Sequence, residues 1–181
     1  AMGTVTVLSA VVYGHHMFTT GLSAMLGESF MLLTMIISVP AEVLFFNWLH
    51  TLWKGSLRLT TPMLFSMAVI FVFGLGGLTG IYLATIGTDI FLHDTYFVTA
   101  HFHYIMVGGM VTAYLGGLHF WWPKITGRMY SGPWSIVAAL ALFIGFNLTF
   151  FPQFLLGFLG MPRRYHAYPE EFQLLHVMSS L

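Results

Sequence analysis

Four stretches of this chain, residues 23–52, 59–86, 95–122 and 131–158, each exceed the roughly 20 mostly apolar residues a helix needs to cross a bilayer. Only 7% of the 181 residues are charged and 57% are hydrophobic. A soluble domain carries about 25% charged residues, so this chain cannot dress a surface that faces water. The expected fold is an all-α membrane protein, a polytopic transmembrane helical bundle in one domain over residues 1–181. Residues 1–14 read as the end of a further helix and 170–181 as the start of another. Both ends stop within apolar runs, so the chain is expected to be part of a larger subunit.

Short links carry the turn chemistry. The first is 53-WKGSLRLTTP-62; the last is 123-PKITGRMYSGP-133, where Pro123 is expected to end a helix. Trp48, Trp53, Trp121 and Trp122 crowd these ends as an interfacial belt would. With alternating spans, Lys54, Arg58, Lys124 and Arg128 fall on one face, which the positive-inside rule makes cytoplasmic, or matrix in a mitochondrion. Arg163 and Arg164 fall on the opposite face, with His15, His16, Asp89, His93, Asp94, Glu170 and Glu171. Two adjacent arginines on that side call for an anionic partner. Formal net charge is zero, which points to no nucleic-acid partner, and the absence of cysteine excludes disulfides, thiolate metal sites and a cysteine nucleophile.

The chemistry-bearing residues gather toward that outer face. In a helix, residues two apart point roughly 200° away from each other. His101 and His103, in 93-HDTYFVTAHFHY-104, therefore cannot hold one metal but can serve two centres on opposite sides of one helix; otherwise they hydrogen-bond neighbouring helices. The adjacent His15 and His16, in 11-VVYGHHMFTTG-21, reach one metal only at a helix end or where the backbone departs from ideal. Neutral imidazoles suit copper, iron or zinc. His93 and Asp94 could take a divalent cation, while Asp94 could equally cap the helix that follows. The arginine pair in 160-GMPRRY-165 suits carboxylates or phosphates, of lipid headgroups or of a cofactor. His50, His119, His166 and His176 read as interfacial residues at or near helix ends.

In GHHMFTTG (14–21), LHDTYFVTAHFHY (92–104), NLTFFPQ (147–153) and LGMPRRY (159–165), in this order, the chain resembles subunit I of the haem–copper terminal oxidases. The resemblance runs from the end of that subunit's seventh helix to the start of its twelfth. It implies a respiratory enzyme that reduces dioxygen to water, coupled to proton translocation, with two haems (haem A type), copper B and magnesium. His15 and His16 would be copper B ligands. His101 would be the axial ligand of the high-spin haem, and His103 a ligand of the low-spin haem. His93 and Asp94 would hold magnesium, and Arg163 and Arg164 the haem propionates. Partners would be subunits II and III, a donor that is cytochrome c or quinol, dioxygen, and membrane lipid. The remaining ligands would lie upstream, so this piece alone is expected to be inactive. A nitric oxide reductase of the same superfamily is the alternative, and a cofactor-free transporter-like bundle a remote one; the HDTY run and the arginine pair favour the oxidase.

One departure stands out. After the helix-eight proline, many family members have threonine, then lysine three residues on, forming a proton path. Here 38-SVPAEVLFFNW-48 has Ala41 and Leu44 at those positions, with Glu42 beside them in a helix that Pro40 is expected to kink. Glu42 is the candidate for a substitute proton path. The loss of the lysine path favours a bacterial inner membrane over a mitochondrial one.

Overall fold

The computed structural model describes residues 1–180 and is helical almost throughout. α1 spans Met2–Val11 and passes into a 3₁₀ turn at Tyr13–Met17. α2 (Ala24–Leu52), α3 (Thr61–Ala84) and α7 (Gly132–Phe158) are long and apolar enough to cross a membrane. The short α4 (Ile86–Leu92) follows α3, and α8 (Gln173–Ser180) follows a 3₁₀ turn at Glu170–Phe172. Leu181, the last residue of the expected sixth segment, lies outside the described residues.

The expected span at 95–122 is continuous but is not one α-helix. α5 (Tyr96–His103) gives way to a π-helical stretch at Tyr104–Val111, which becomes α6 (Thr112–Thr126). Hydrogen bonds there close to the fifth residue back; the Thr112 amide, for example, reaches the Val107 carbonyl. The stretch begins directly after His103, and such departures gather at functional sites.

Pro123 interrupts its helix less than expected. α2 is continuous through Pro40, and α6 runs past Pro123 to Thr126. It stops at Gly127, whose left-handed backbone (φ 68°) returns its amide to the Pro123 carbonyl. Pro123 thus sits inside the helix and glycine supplies the stop.

The core lies between α3, α5 and α7, where Val72, Phe97, Ala100, Tyr104, Phe146 and Phe154 pack as one buried cluster. Tyr104 is wholly buried, and its hydroxyl donates to Asn147 Oδ1 at 2.8 Å. Gly157 sets the approach of α7 to α5: a methyl group there would overlap the Phe97 backbone. α2 stands apart from this core, with Gly27 its one buried residue. A clasp joins the outer ends of α5 and α7. Thr95 and Pro162 form an antiparallel bridge, with Tyr96 N–H to Met161 O at 3.0 Å and Arg163 N–H to Asp94 O at 2.9 Å. His176, expected at an interface, is buried, stacked on Tyr168 with ring centroids 4.0 Å apart.

Candidate redox centre

A cavity of about 1270 Å³ opens between α2 and the α3–α5 pair. His15, His16 and His101 line it, and Asp89, His93, Asp94 and Arg163 lie along the same wall. His103 does not.

His15 and His16 sit in the 3₁₀ turn, where the backbone departs from the α-helix as their spacing requires. Their Nε2 atoms are 2.9 Å apart. Two nitrogens each about 2.0 Å from one metal, at a right angle, would be about that far apart. His15 Nδ1 lies 3.1 Å from Thr34 Oγ1, whose own proton goes to the Phe30 carbonyl at 2.6 Å. Thr34 therefore accepts, Nδ1 carries the hydrogen, and Nε2 keeps its lone pair. Burial, with His16 and His101 adding to it, holds the His15 imidazole at about 4, far below its ordinary value. His16 is lowered as well, first by burial, then by His93 and Arg163. Both rings are thus kept in the form that ligates.

His101 and His103 leave one helix on different sides. His101 Nδ1 donates to the Gly76 carbonyl at 2.9 Å, with Thr79 Oγ1 at 3.2 Å, so its Nε2 also keeps a lone pair. Gly80 faces the ring edge; a Cβ there would come within 2.9 Å of Cε1. On the opposite side His103 stacks on Phe150 of α7, centroids 4.1 Å apart and planes 18° from parallel, while Nδ1 donates to the Thr99 carbonyl at 2.7 Å. In each case a second group fixes the tautomer, as for metal-bound histidine. This donor set fits haem iron and copper. Among the described residues no three His, Asp or Glu side chains converge on one point.

The outer end is organised differently from the sequence expectation. The cap of α5 is Thr95, whose hydroxyl accepts from Phe97 N at 3.2 Å, and not Asp94. Asp94 is drawn away by Arg163, whose Nε donates to Oδ1 at 2.7 Å and whose terminal nitrogen contacts the same oxygen. That hydrogen bond holds the Asp94 carboxyl below its usual range. The arginine pair is split: Arg163 lines the cavity wall, while Arg164 is exposed with a left-handed backbone (φ 63°). His93 bridges two carboxylates, 3.6 Å from Asp89 Oδ2 and 3.7 Å from Asp94 Oδ2. Asp89 is buried, and burial pushes its carboxyl up to about 6 against the pull of His93.

Sequence reasoning missed Thr34, Gly76, Gly80 and the buried state of Asp89. Thr34, Gly76 and Gly80 each act on a histidine at least 19 residues away in the chain, whereas Asp89 faces His93, four residues on. The one available signal was Thr34, a hydroxyl on an apolar span eight residues before Glu42.

Comparison with known proteins gives one answer. The family described as cytochrome c and quinol oxidase polypeptide I matches residues 1–181. The chain is 46% identical over 181 residues to cytochrome c oxidase subunit 1 of Cereibacter sphaeroides, covering all of this chain and 32% of that protein. It is 49% identical over 161 residues to the subunit of Bacillus sp. strain PS3 (89% and 26% covered) and 41% over 179 residues to that of Eremothecium gossypii (99% and 34%). The chain thus spans about a third of the length of these relatives or less.

Proposed function

Because the chain belongs to the cytochrome c and quinol oxidase polypeptide I family, an oxidoreductase family of membrane-embedded haem–copper proteins, we propose that it carries the oxygen-reducing site of a respiratory terminal oxidase. The observation that carries this reading is the division of imidazoles. His15, His16 and His101 share one cavity, while His103 occupies the other side of the helix that bears His101.

In this reading His15 and His16 hold copper through Nε2, His101 holds the high-spin haem iron, and His103 the low-spin one. When bound, these groups supply the electrons that reduce dioxygen to water. The chain's own part is positional and protonic. Thr34 and the Gly76 carbonyl fix which nitrogen of each ring is bare. Apolar walls keep the site dry, and a dry site strengthens every charge within it. Arg163 and Arg164 offer positive charge to haem propionates. His93 and the Oδ2 of Asp94 offer a magnesium ion its ligands, with Asp94 Oδ1 already satisfied by Arg163. Haem A, subunits II and III, a cytochrome c or quinol donor, proton translocation and a bacterial inner membrane complete the proposal, and the isolated segment is inactive in it.

The test is cofactor content of the intact parent complex: a pyridine haemochrome spectrum with copper and iron analysis. Haem A with copper is the expected result. Haem B with non-haem iron and no copper would refute the copper role of His15 and His16, and a complex without haem would refute the whole reading.

A further inference from the structure

Reducing dioxygen to two waters consumes four electrons and four protons. Protons drawn from the face bearing Lys54, Arg58, Lys124 and Arg128 must cross half the membrane to reach a buried site. α2 is the wall of the cavity nearest His15, and its cavity-facing surface is mostly apolar: Met35, Ile37, Ala41, Phe45, Phe46 and Leu49. Three polar side chains break that surface, Thr34, Ser38 and Glu42. They stand four residues apart, one above another along the helix.

The row has a direction. Its upper end is Thr34, 3.1 Å from His15 Nδ1. Its lower end is Glu42, displaced along the axis by about 12 Å toward the basic face. Ser38 lies between, its proton on the Met35 carbonyl at 2.6 Å and its lone pairs free to accept. Glu42 has no ion-pair partner among the described residues. A carboxyl group within a span is expensive and calls for a role.

We infer that Thr34, Ser38 and Glu42 form a proton-delivery row that feeds the site beside His15 from the basic face. This rests on the oxidase reading above. Successive steps of about 6 Å along the row are each the span of one bridging water. Glu42 is the row's proton-exchanging member: its carboxyl gives a proton to water on the cavity side and regains one from water on the basic side, with no net change. Ser38 and Thr34 orient the waters and do not themselves ionise.

The test uses the intact parent complex with E42Q, E42D and S38A. It measures haem and copper content, electron transfer into the haems, steady oxygen consumption, and proton uptake by a pH-indicator dye during a single turnover. E42Q should keep its cofactors and accept electrons normally, yet take up protons on the order of 100-fold more slowly. E42D should recover most of the loss, because it restores an acid, and S38A should fall between. Unchanged proton uptake and turnover in E42Q would overturn the inference and leave Glu42 as a partner for some other helix. If E42Q loses its cofactors, S38A decides: uptake at the wild-type rate overturns the row. A wild-type complex without copper or oxygen consumption would instead refute the oxidase reading.

Discussion

On the proposed ligand assignment, replacing Gly80 with alanine should disturb the haem site at His101 and spare the one at His103. The new Cβ would stand 2.9 Å from His101 Cε1, and ordinary contact begins at 3.4 Å. The ring must therefore retreat by about 0.5 Å. It is tethered by its 2.9 Å bond to the Gly76 carbonyl and by Thr79. A retreat of that size takes the bond beyond the ordinary 2.7–3.2 Å range. Losing it costs about 1 kcal/mol, and overpacking adds about 1–3 kcal/mol. Each 1.4 kcal/mol is a factor of ten in binding, so the group held by His101 should bind roughly 10- to 1000-fold more weakly. His103 is held on the far side of the helix by Thr99 and Phe150, so its partner should be untouched. The assay is the visible spectrum of the purified parent complex, comparing high-spin with low-spin haem bands. An unchanged high-spin band, or equal loss of both, would refute the reasoning.

Two further outcomes follow from the packing and the charges. Gly157→Ala should force α7 off the Phe97 backbone, costing about 1–3 kcal/mol or more; a thermal melt of the complex that matches wild type would contradict the close approach. Asp89 is raised to about 6 from an ordinary 3.8, so its folded form favours the proton and stability is lost as pH rises from about 4 through 6. D89N removes that loss, so its stability relative to wild type should grow between pH 4.5 and 8, and a constant difference across that range would refute the assignment.

The sequence carried the broad design because lipid leaves few options. An apolar run of sufficient length must become a helix to satisfy its own backbone, and 3.6-residue periodicity alone separates His101 from His103. What escaped it depends on partners distant in the chain. Asp94 is a reasonable helix cap by local rules, but Arg163, 69 residues away, takes its carboxylate and leaves the cap to Thr95. Thr34 orients His15 across 19 residues. Pro123 carries the local signature of a stop, yet the helix runs on past it and the stop is Gly127, whose left-handed backbone turns its amide back onto the Pro123 carbonyl. The π-helical stretch from Tyr104 to Val111 has the same apolar composition as any span, so composition could not reveal it.

That stretch also makes the helix a universal joint. A turn closed at the fifth residue holds more residues than one closed at the fourth, so α5 above it and α6 below it need not share an angular phase. The upper half aims imidazoles; the lower half fits its own groove, where Gly116 lies against Phe65. A residue gained or lost within the joint changes its hydrogen-bond register before it changes the aim of His101. The two halves can therefore be seated separately, the upper to aim its imidazoles and the lower to fit the groove against α3.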